Sequence, residues 1–318
     1  MVNICEITIG KFVFHNVNHV HIESSRRKLG DECVITLPRR YESKSLAKEI
    51  KEGDQVIVKL GYQESGLVTE FIGYVNIIGC NTPVEISCED EVYNLKRTMA
   101  KPHSWSSISL KDLLKYMMPS INAEVPDMTL SPFYIKGELN VAAALEKIRD
   151  DYGLDIYFRD GNLFAGMAYS EKAMTVIDPI IYYLKWTGKT NVIKNDLEFR
   201  RADSFRIKLK AVSMLPNNKV IKYECGDLDG EIRTIHHYNK TLAELKILAD
   251  EDLKNFKYDG YKGKFQTFGN PISRQGMIAD LTEEGFEEKN GRYFIDKVTV
   301  DFGLNGYRRE NELGRMAS

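Results

Sequence analysis

The sequence predicts a mixed, mainly β protein in which two β-rich parts flank a small α/β unit. Three observations predict it. Short strand-like runs punctuated by turn residues fill residues 2–98, apolar residues switch to helical spacing near Pro102, and strand-like runs return from about Asn191. At 318 residues and 36.4 kDa the chain exceeds the usual size of one domain, so two or three units, each with its own core, are expected.

In the first part the candidate strands are Val2 to Ile9, Lys11 to Ile22, Glu32 to Leu37, Gln55 to Tyr62, Thr69 to Ile78 and Val84 to Asp90. The run Gln55 to Tyr62 places Val56, Val58, Leu60 and Tyr62 on one face, the pattern of a half-buried strand. Gly53-Asp54 before it and Gln63-Glu64-Ser65-Gly66 after it are turn residues, which makes it the first arm of a hairpin. Many short strands separated by such turns imply a barrel or a sandwich.

In the middle unit, Ser107 to Met118 has helical spacing and stops at Pro119. Asn140 to Tyr152 reads as a second helix, with Asn140 as N-cap and Gly153 as the C-terminal stop. Leu154 to Phe158 and Asn162 to Met167 flank an Asp160-Gly161 turn, a strong hairpin signal. In the last part the candidate strands are Asp196 to Arg201, Phe205 to Met214, Lys219 to Cys225, Ile232 to Asn239, Gly263 to Thr267, Tyr293 to Phe302 and Gly306 to Leu313. One helix interrupts them: Thr241 and Glu244 form a capping box, and Leu242, Leu245, Leu248, Ala249 and Leu253 follow as a stripe.

Composition excludes several function classes. With 43% hydrophobic residues, 28% charged residues and a net charge of −2, the chain is neither a basic nucleic-acid binder nor an acidic disordered chain. No run reaches the roughly 18 apolar residues of a membrane span, and the N-terminus lacks the pattern of a signal peptide, so synthesis and folding in the cytosol, with no membrane association, are expected. Cys5, Cys33, Cys80, Cys88 and Cys225 are odd in number and scattered, which predicts buried free thiols in place of disulfides or a zinc site.

Candidate chemistry is sparse. His15, His19 and His21 could share a strand face, but the only nearby carboxylate in sequence is Glu23, and an exposed strand explains them. His236 and His237 should face opposite sides of a strand, and His103 reads as a loop residue. Asp227 and Asp229 read as a tight turn lacking the distal ligands of a calcium loop. Nucleophile elbows, reactive-cysteine signatures and phosphate-binding glycine motifs are all missing from the sequence. The basic clusters at Ser25 to Lys28, Pro38 to Arg40 and Tyr307 to Arg309 are isolated, which argues against sequence-specific DNA readout. Aromatic residues gather at Tyr182, Tyr183 and Trp186 and again at Tyr258 and Tyr261, as in core packing, subunit interfaces or sugar platforms. No catalytic, cofactor-binding or metal-binding residue is therefore predicted.

The order of segments resembles the phage late control protein D and baseplate (tail) hub family, which also occurs in contractile injection systems. Glu52 to Tyr62 followed by Phe71-Ile72-Gly73-Tyr74-Val75 is similar to the family's Gly-Asp turn, strand ending in Gly-Tyr and strand containing Phe-x-Gly. Val84 to Asp90, the helix Asn140 to Tyr152 with its Asp-Gly hairpin, Arg292 to Val298 and Gly306 to Gly314 match later segments in the same order. The resemblance implies two tube-like β-barrel domains with a small inserted α/β domain: 1–98 the first barrel, 99–175 the insert and 176–318 the second barrel with one helix. It implies a non-enzymatic, structural homotrimer forming a pseudo-hexameric ring between tail tube and central spike. Spike protein, tube protein and tape measure protein would be its partners, and DNA only passing cargo. Its place would be the virion tail baseplate, assembled in the bacterial cytoplasm. Because the chain stops at Ser318, no fused spike or lysozyme domain is expected. Alternatives are another tail component, such as a distal tail protein or the hub of a secretion apparatus, and a tail-associated glycan-binding or glycan-cleaving protein with its site around Tyr182 to Trp186.

Overall fold

In the computed structural model, residues 2–41, 44–130, 132–167, 169, 179–204 and 206–317 are described. The expected boundary between residues 175 and 176, and Phe205 as the start of a strand, lie outside the described residues.

Side-chain alternation and tight turns build the first β-rich part. It comprises β1 (Asn3–Ile9), β2 (Phe12–Phe14), β3 (His19–Ser25), β4 (Glu32–Leu37), the short pair β5 (Arg40–Tyr41) and β6 (Lys44–Ser45), α1 (Leu46–Glu49), β7 (Gln55–Tyr62), β8 (Gly66–Ile78), β9 (Val84–Glu89) and α2 (Val92–Arg97). On β7, Val56, Val58, Leu60 and Tyr62 are buried, as their spacing predicts. The single strand expected over Lys11 to Ile22 is instead two. β2 folds back on β1 after Gly10 (φ +55°), whereas β3 pairs with β4, so the chain crosses from one sheet position to another between Phe14 and His19.

The middle unit holds β10 (His103–Trp105), β11 (Ile108–Ser109), α3 (Leu110–Met117), β12 (Ala123–Glu124), β13 (Thr129–Leu130), β14 (Phe133–Ile135), α4 (Val141–Tyr152), β15 (Leu154–Arg159) and β16 (Asn162–Met167). Asn140 caps α4 by accepting a hydrogen bond from the Ala143 amide, and Gly153 ends the helix at φ +62°. The apolar faces of α3, α4, β15 and β16 form one core, to which the first part adds Leu29, Val92 and Leu95.

The last part contains β17 (Ile180–Lys185), β18 (Val192–Arg200), β19 (Ile207–Met214), β20 (Val220–Gly226), β21 (Glu231–Tyr238), α5 (Leu242–Phe256), β22 (Gly260–Phe268), β23 (Ile278–Glu283), β24 (Gly291–Gly303) and β25 (Gly306–Met316). Thr241 and Glu244 form the predicted capping box of α5, and Leu245 and Ala249 face a small core with Leu209, Ala211 and Ile235. Leu242, placed on the same stripe by spacing, is the first residue of α5 and is 46% exposed, so the stripe is buried only from Leu245 onward.

The fold is mainly β with some helices. Thirteen strands join in one sheet whose path runs β18-β22-β25-β24-β3-β4-β9-β8-β7-β1-β2, with β23 branching from β24 to pair with β17. The path is open, with β2 and β18 at its ends, and no ring of strands closes among the described residues. Contrary to the expectation of separate cores, Ile7, Val58 and Ile86 from the first part and Tyr182, Phe265 and Val300 from the last belong to a single hydrophobic cluster. The physical reason is the antiparallel pairing of β3 with β24, Ser25 opposite Lys297 through His19 opposite Gly303, which makes the two inner faces continuous.

Candidate functional site

With no catalytic constellation in the sequence, the feature most relevant to function is the seam where the two β-rich parts and the middle unit meet. Along the β3–β24 pairing, register places Asp301 directly opposite His21. His21 Nδ1 and His19 Nε2 hydrogen-bond to Asp301 Oδ1 at 2.8 and 3.1 Å. The hydrogen bond to Asp301 holds the His21 imidazole above its ordinary pKa against partial burial. Burial acts to raise Asp301, but the His21 hydrogen bond and charge outweigh it and bring the carboxyl below its usual range. Farther along the seam, Lys297 Nζ donates to Glu23 at 2.6 Å and Lys28 Nζ lies 2.7 Å from the same carboxylate.

Two β-bulges then turn acidic side chains inward. In β24, Ile295 pairs with Leu313 and Lys297 with Glu312, leaving Asp296 as an extra residue. Its carboxylate is buried and accepts from Arg26 Nε at 2.6 Å, Arg27 Nη2 at 2.9 Å and the Tyr169 hydroxyl at 3.1 Å. Arg26 also donates to Asp155 of β15 and stacks 3.7 Å above the Tyr169 ring, so one guanidinium ties together the first part, the middle unit and the last part. Gly314 leaves the space: a Cβ there would lie 2.2 Å from Asp296 Oδ1.

The second bulge is in β8, where Val58 pairs with Phe71 and Lys59 with Thr69, so Glu70 is extra and is buried beside Phe71. Glu70 accepts from Arg309, from the Tyr307 hydroxyl and from Arg274 Nη1, the last at 2.7 Å. Arg309 also donates to the carbonyls of Gly269 at 3.1 Å and Ser273 at 3.0 Å. The Tyr62 hydroxyl completes the network, donating to the Tyr307 carbonyl at 3.1 Å and accepting from the Gly269 amide at 3.0 Å. Burial would raise the Glu70 pKa, but Arg309 and Arg274 pull it below the ordinary value. These networks hold the three parts in register, with each bulge carboxylate met by guanidinium and hydroxyl donors.

The structure disperses the residues singled out from sequence. The carboxylate partner of His19 and His21 was not legible, because Asp301 is 280 residues from His21 and arrives only by strand pairing. His15 makes its backbone carbonyl available to the Cys5 thiol at 3.2 Å. His237 Nε2 hydrogen-bonds to Asp252 at 2.8 Å, while His236 packs against Gly153, where a Cβ would meet its ring at 2.0 Å. His103 is not a solitary loop residue: it lies on β10, with ring centroids 4.4 Å from Trp105 and 5.7 Å from Tyr116. Asp227 pairs with Lys257 at 2.7 Å and Asp229 with Arg206. Among the described residues no group of three or more His, Cys, Asp or Glu side chains is arranged to hold a metal ion. All five cysteines are free; Cys5, Cys33 and Cys88 are buried, whereas Cys80 is exposed and Cys225 half-buried, which corrects the expectation that the thiols are buried. Tyr182 is fully buried against Phe265 and cannot serve a sugar platform, leaving Tyr183 and Trp186 as an edge-to-face pair 5.4 Å apart.

No protein-family model matches the sequence, and no curated protein matches it. Solved structures match the fold over the full chain. The tail protein from Neisseria meningitidis MC58 is 15% identical, with a TM-score of 0.67 over 100% of this chain and 97% of its own. The 43 kDa tail protein of prophage MuSo2 from Shewanella oneidensis is 14% identical, with a TM-score of 0.63 over 98% of both chains. An E. coli component of the type VI secretion system, itself described as similar to the T4 tail proteins gp27 and gp5, is 8% identical, with a TM-score of 0.59 over 98% of this chain and 77% of its own. The chain has the fold of these phage tail and secretion-system proteins.

Proposed function

We propose, from the premise that this chain has the full-length fold of phage tail proteins, that it is the protomer of a baseplate hub in a phage tail or a phage-tail-like injection machine. The observation that carries the reading is the union of two β-rich parts into one open sheet with a free strand, β2 or β18, at each end. An open sheet presents unpaired backbone groups at its ends, and head-to-tail contacts between copies satisfy them by closing a ring. In this reading 1–98 and 176–318 each supply a tube-like barrel segment, 99–175 is an insert outside the wall, and three copies form a ring of pseudo-sixfold symmetry. Such a ring matches a hexameric tube on one face and a trimeric spike on the other, with the tape measure protein and passing DNA in its channel. The work is done by interfaces, so the protein is structural and has no catalytic, cofactor or metal site. The matched E. coli component extends the proposal to secretion machines of the same architecture.

The edges give the experiment. On β18, Ile193 is 43% exposed, and on β2 Val13 is 43% exposed, so apolar side chains flank both free edges. Placing proline in β18, as Leu197→Pro, removes an edge amide that in the single chain donates to the Asn195 side chain at 3.0 Å. Co-expression with a tube protein and a spike protein of the same tail should yield a complex with the wild-type chain and lose it with the variant, while circular dichroism stays β-rich. A variant that still assembles normally would remove β18 from the interface. The glycan alternative is tested by glycan-array binding of the wild type and of Trp186→Ala.

A further inference from the structure

The three-stranded sheet β20-β19-β21 is separate from the large sheet, and β20 pairs on one side only. Its residues alternate between exposed and half-buried, and none is buried. The ladder to β19 is closed at both ends by backbone bonds, from the Leu215 amide to the Lys219 carbonyl at 2.9 Å and from the Asp227 amide to the Ile207 carbonyl at 2.8 Å. Antiparallel pairing alternates bonded and non-bonded pairs, so between these ends Ile221, Tyr223 and Cys225 turn their backbone groups to β19. Val220, Lys222 and Glu224 turn theirs outward, and among the described residues no strand meets them.

The two faces of β20 differ. Ile221, Tyr223 and Cys225 pack against the small core under α5 and are only partly covered by it. On the opposite face Lys222 and Glu224 lie beside Lys208 and Lys210 of β19. Glu224 is shared by Lys208 at 2.7 Å and Lys210 at 3.5 Å, which leaves Lys222 exposed and without a carboxylate among the described residues. β21 adds Ile232 and Thr234 to this face and no acid. Three lysines therefore face one glutamate. A single lysine in an edge strand guards it against pairing, but a group of cations beside open backbone donors and acceptors admits a strand of opposite charge.

We propose that β20 is a docking edge for an extended, acidic segment of a partner protein, which adds a fourth strand to this sheet. The outward backbone groups of Val220, Lys222 and Glu224 hold the segment by ladder hydrogen bonds. Its side chains alternate: apolar ones complete the cover over Ile221 and Tyr223, and carboxylates on the other face meet Lys222, with Lys208 and Lys210 behind it. The ring contacts proposed above use β2 and β18, so β20 stays open in that reading and the docking does not rest on it.

The probe is a capped synthetic peptide alternating valine and glutamate, titrated into the isotope-labelled full chain and followed by amide NMR shifts. Shifts should appear at Val220, Lys222 and Glu224 and not at β7, and affinity should fall roughly tenfold when lysine replaces glutamate in the peptide. Lys222→Glu, a change to an exposed side chain, should weaken the glutamate peptide by a similar factor, and Lys222→Arg should keep it. Methylating the peptide nitrogens, which removes the ladder donors, should abolish binding. No shift at these amides up to millimolar peptide, or equal binding of the two peptides, overturns the proposal. A stronger response of the same amides to duplex DNA, or their shift with protein concentration alone, also overturns it and assigns the edge to nucleic acid or to a second copy.

Discussion

Glu70 and Arg309 lie 239 positions apart in the chain and meet as an enclosed ion pair, with side-chain exposures of 1% and 0%. The contact exists because a β-bulge turns Glu70 inward from β8 just where β25 delivers Arg309. A charge enclosed to this degree is stable only while its partner is present, so truncation on one side is costly. Arg309→Met should lower the unfolding free energy by about 3–5 kcal/mol in chemical denaturation. The double variant Glu70→Leu with Arg309→Met should lose much less than the sum of the single losses. A single-variant loss under about 1 kcal/mol would show that the pair is not holding the sheet together.

Arg26 is the corresponding tie at the second bulge, held by Asp296 and Asp155 and stacked on Tyr169. Arg26→Ala should destabilise by about 3 kcal/mol and open the middle unit to limited proteolysis before the β sheet is cut. Arg26→Lys should restore little, because an ammonium cannot serve two carboxylates and a ring face in this planar arrangement. Simultaneous cleavage of all parts in Arg26→Ala would argue against a tie specific to the middle unit.

Stability should respond to pH through the His21–Asp301 pair. His21 is shifted up, so its contribution is complete below the ordinary 6.5 and disappears as pH rises through the higher folded value. Asp301 is shifted down, so its contribution holds above the ordinary 3.8 and is lost as pH falls through the lower folded value. Thermal melts of wild type and Asp301→Asn should therefore differ most at mildly acidic pH and converge on the alkaline side. Because every other titratable group is common to both proteins, the difference between the two profiles isolates the seam. A constant offset across the range would deny the histidine its role.

Gly269 packs its α-carbon against Tyr307, where a Cβ would meet the ring at 2.0 Å, and its amide donates to Tyr62. Gly269→Ala should cost about 1–3 kcal/mol by forcing Tyr307 off Glu70. Gly161→Ala, with open space at its Cβ and φ of +79°, should cost about 1 kcal/mol through backbone strain alone. Urea titration of both variants checks the ranking, and an equal effect would contradict the packing role of Gly269.

Thiol accessibility offers a direct map of burial. Burial pushes Cys5 up to about 11, Cys88 to about 12 and Cys33 well above the ordinary thiol value, whereas Cys80 is exposed. Under native conditions a maleimide should label Cys80 first, Cys225 slowly and the other three only after denaturant is added. Rapid native labelling of Cys33 would contradict the shared core.

Locally encoded features were legible in the sequence. The β7 face, the Asn140 and Gly153 caps of α4, the Thr241–Glu244 capping box and the Asp160-Gly161 hairpin turn each depend on residues within a few positions of one another. Features made by distant pairing were not. β17 and β23 are short runs that pair in parallel across about one hundred residues, and neither carries a turn signal tying it to its partner. Glu70 lies within the strand expected over Thr69 to Ile78 with no local mark of burial, and the bulge turns it inward. The β3–β24 seam likewise has no local signature, which is why separate cores were expected where one is shared. The order of segments was the exception: diffuse motifs in sequence nevertheless pointed to a fold that full-length structural matches bear out.

The hub reading stands or falls on how many copies assemble. Native mass spectrometry of the purified chain, alone and with a spike protein of the same tail, should give a three-chain species, or a monomer that becomes a three-to-three complex when the spike is added. A chain that stays monomeric at every concentration and ignores the spike would contradict the ring.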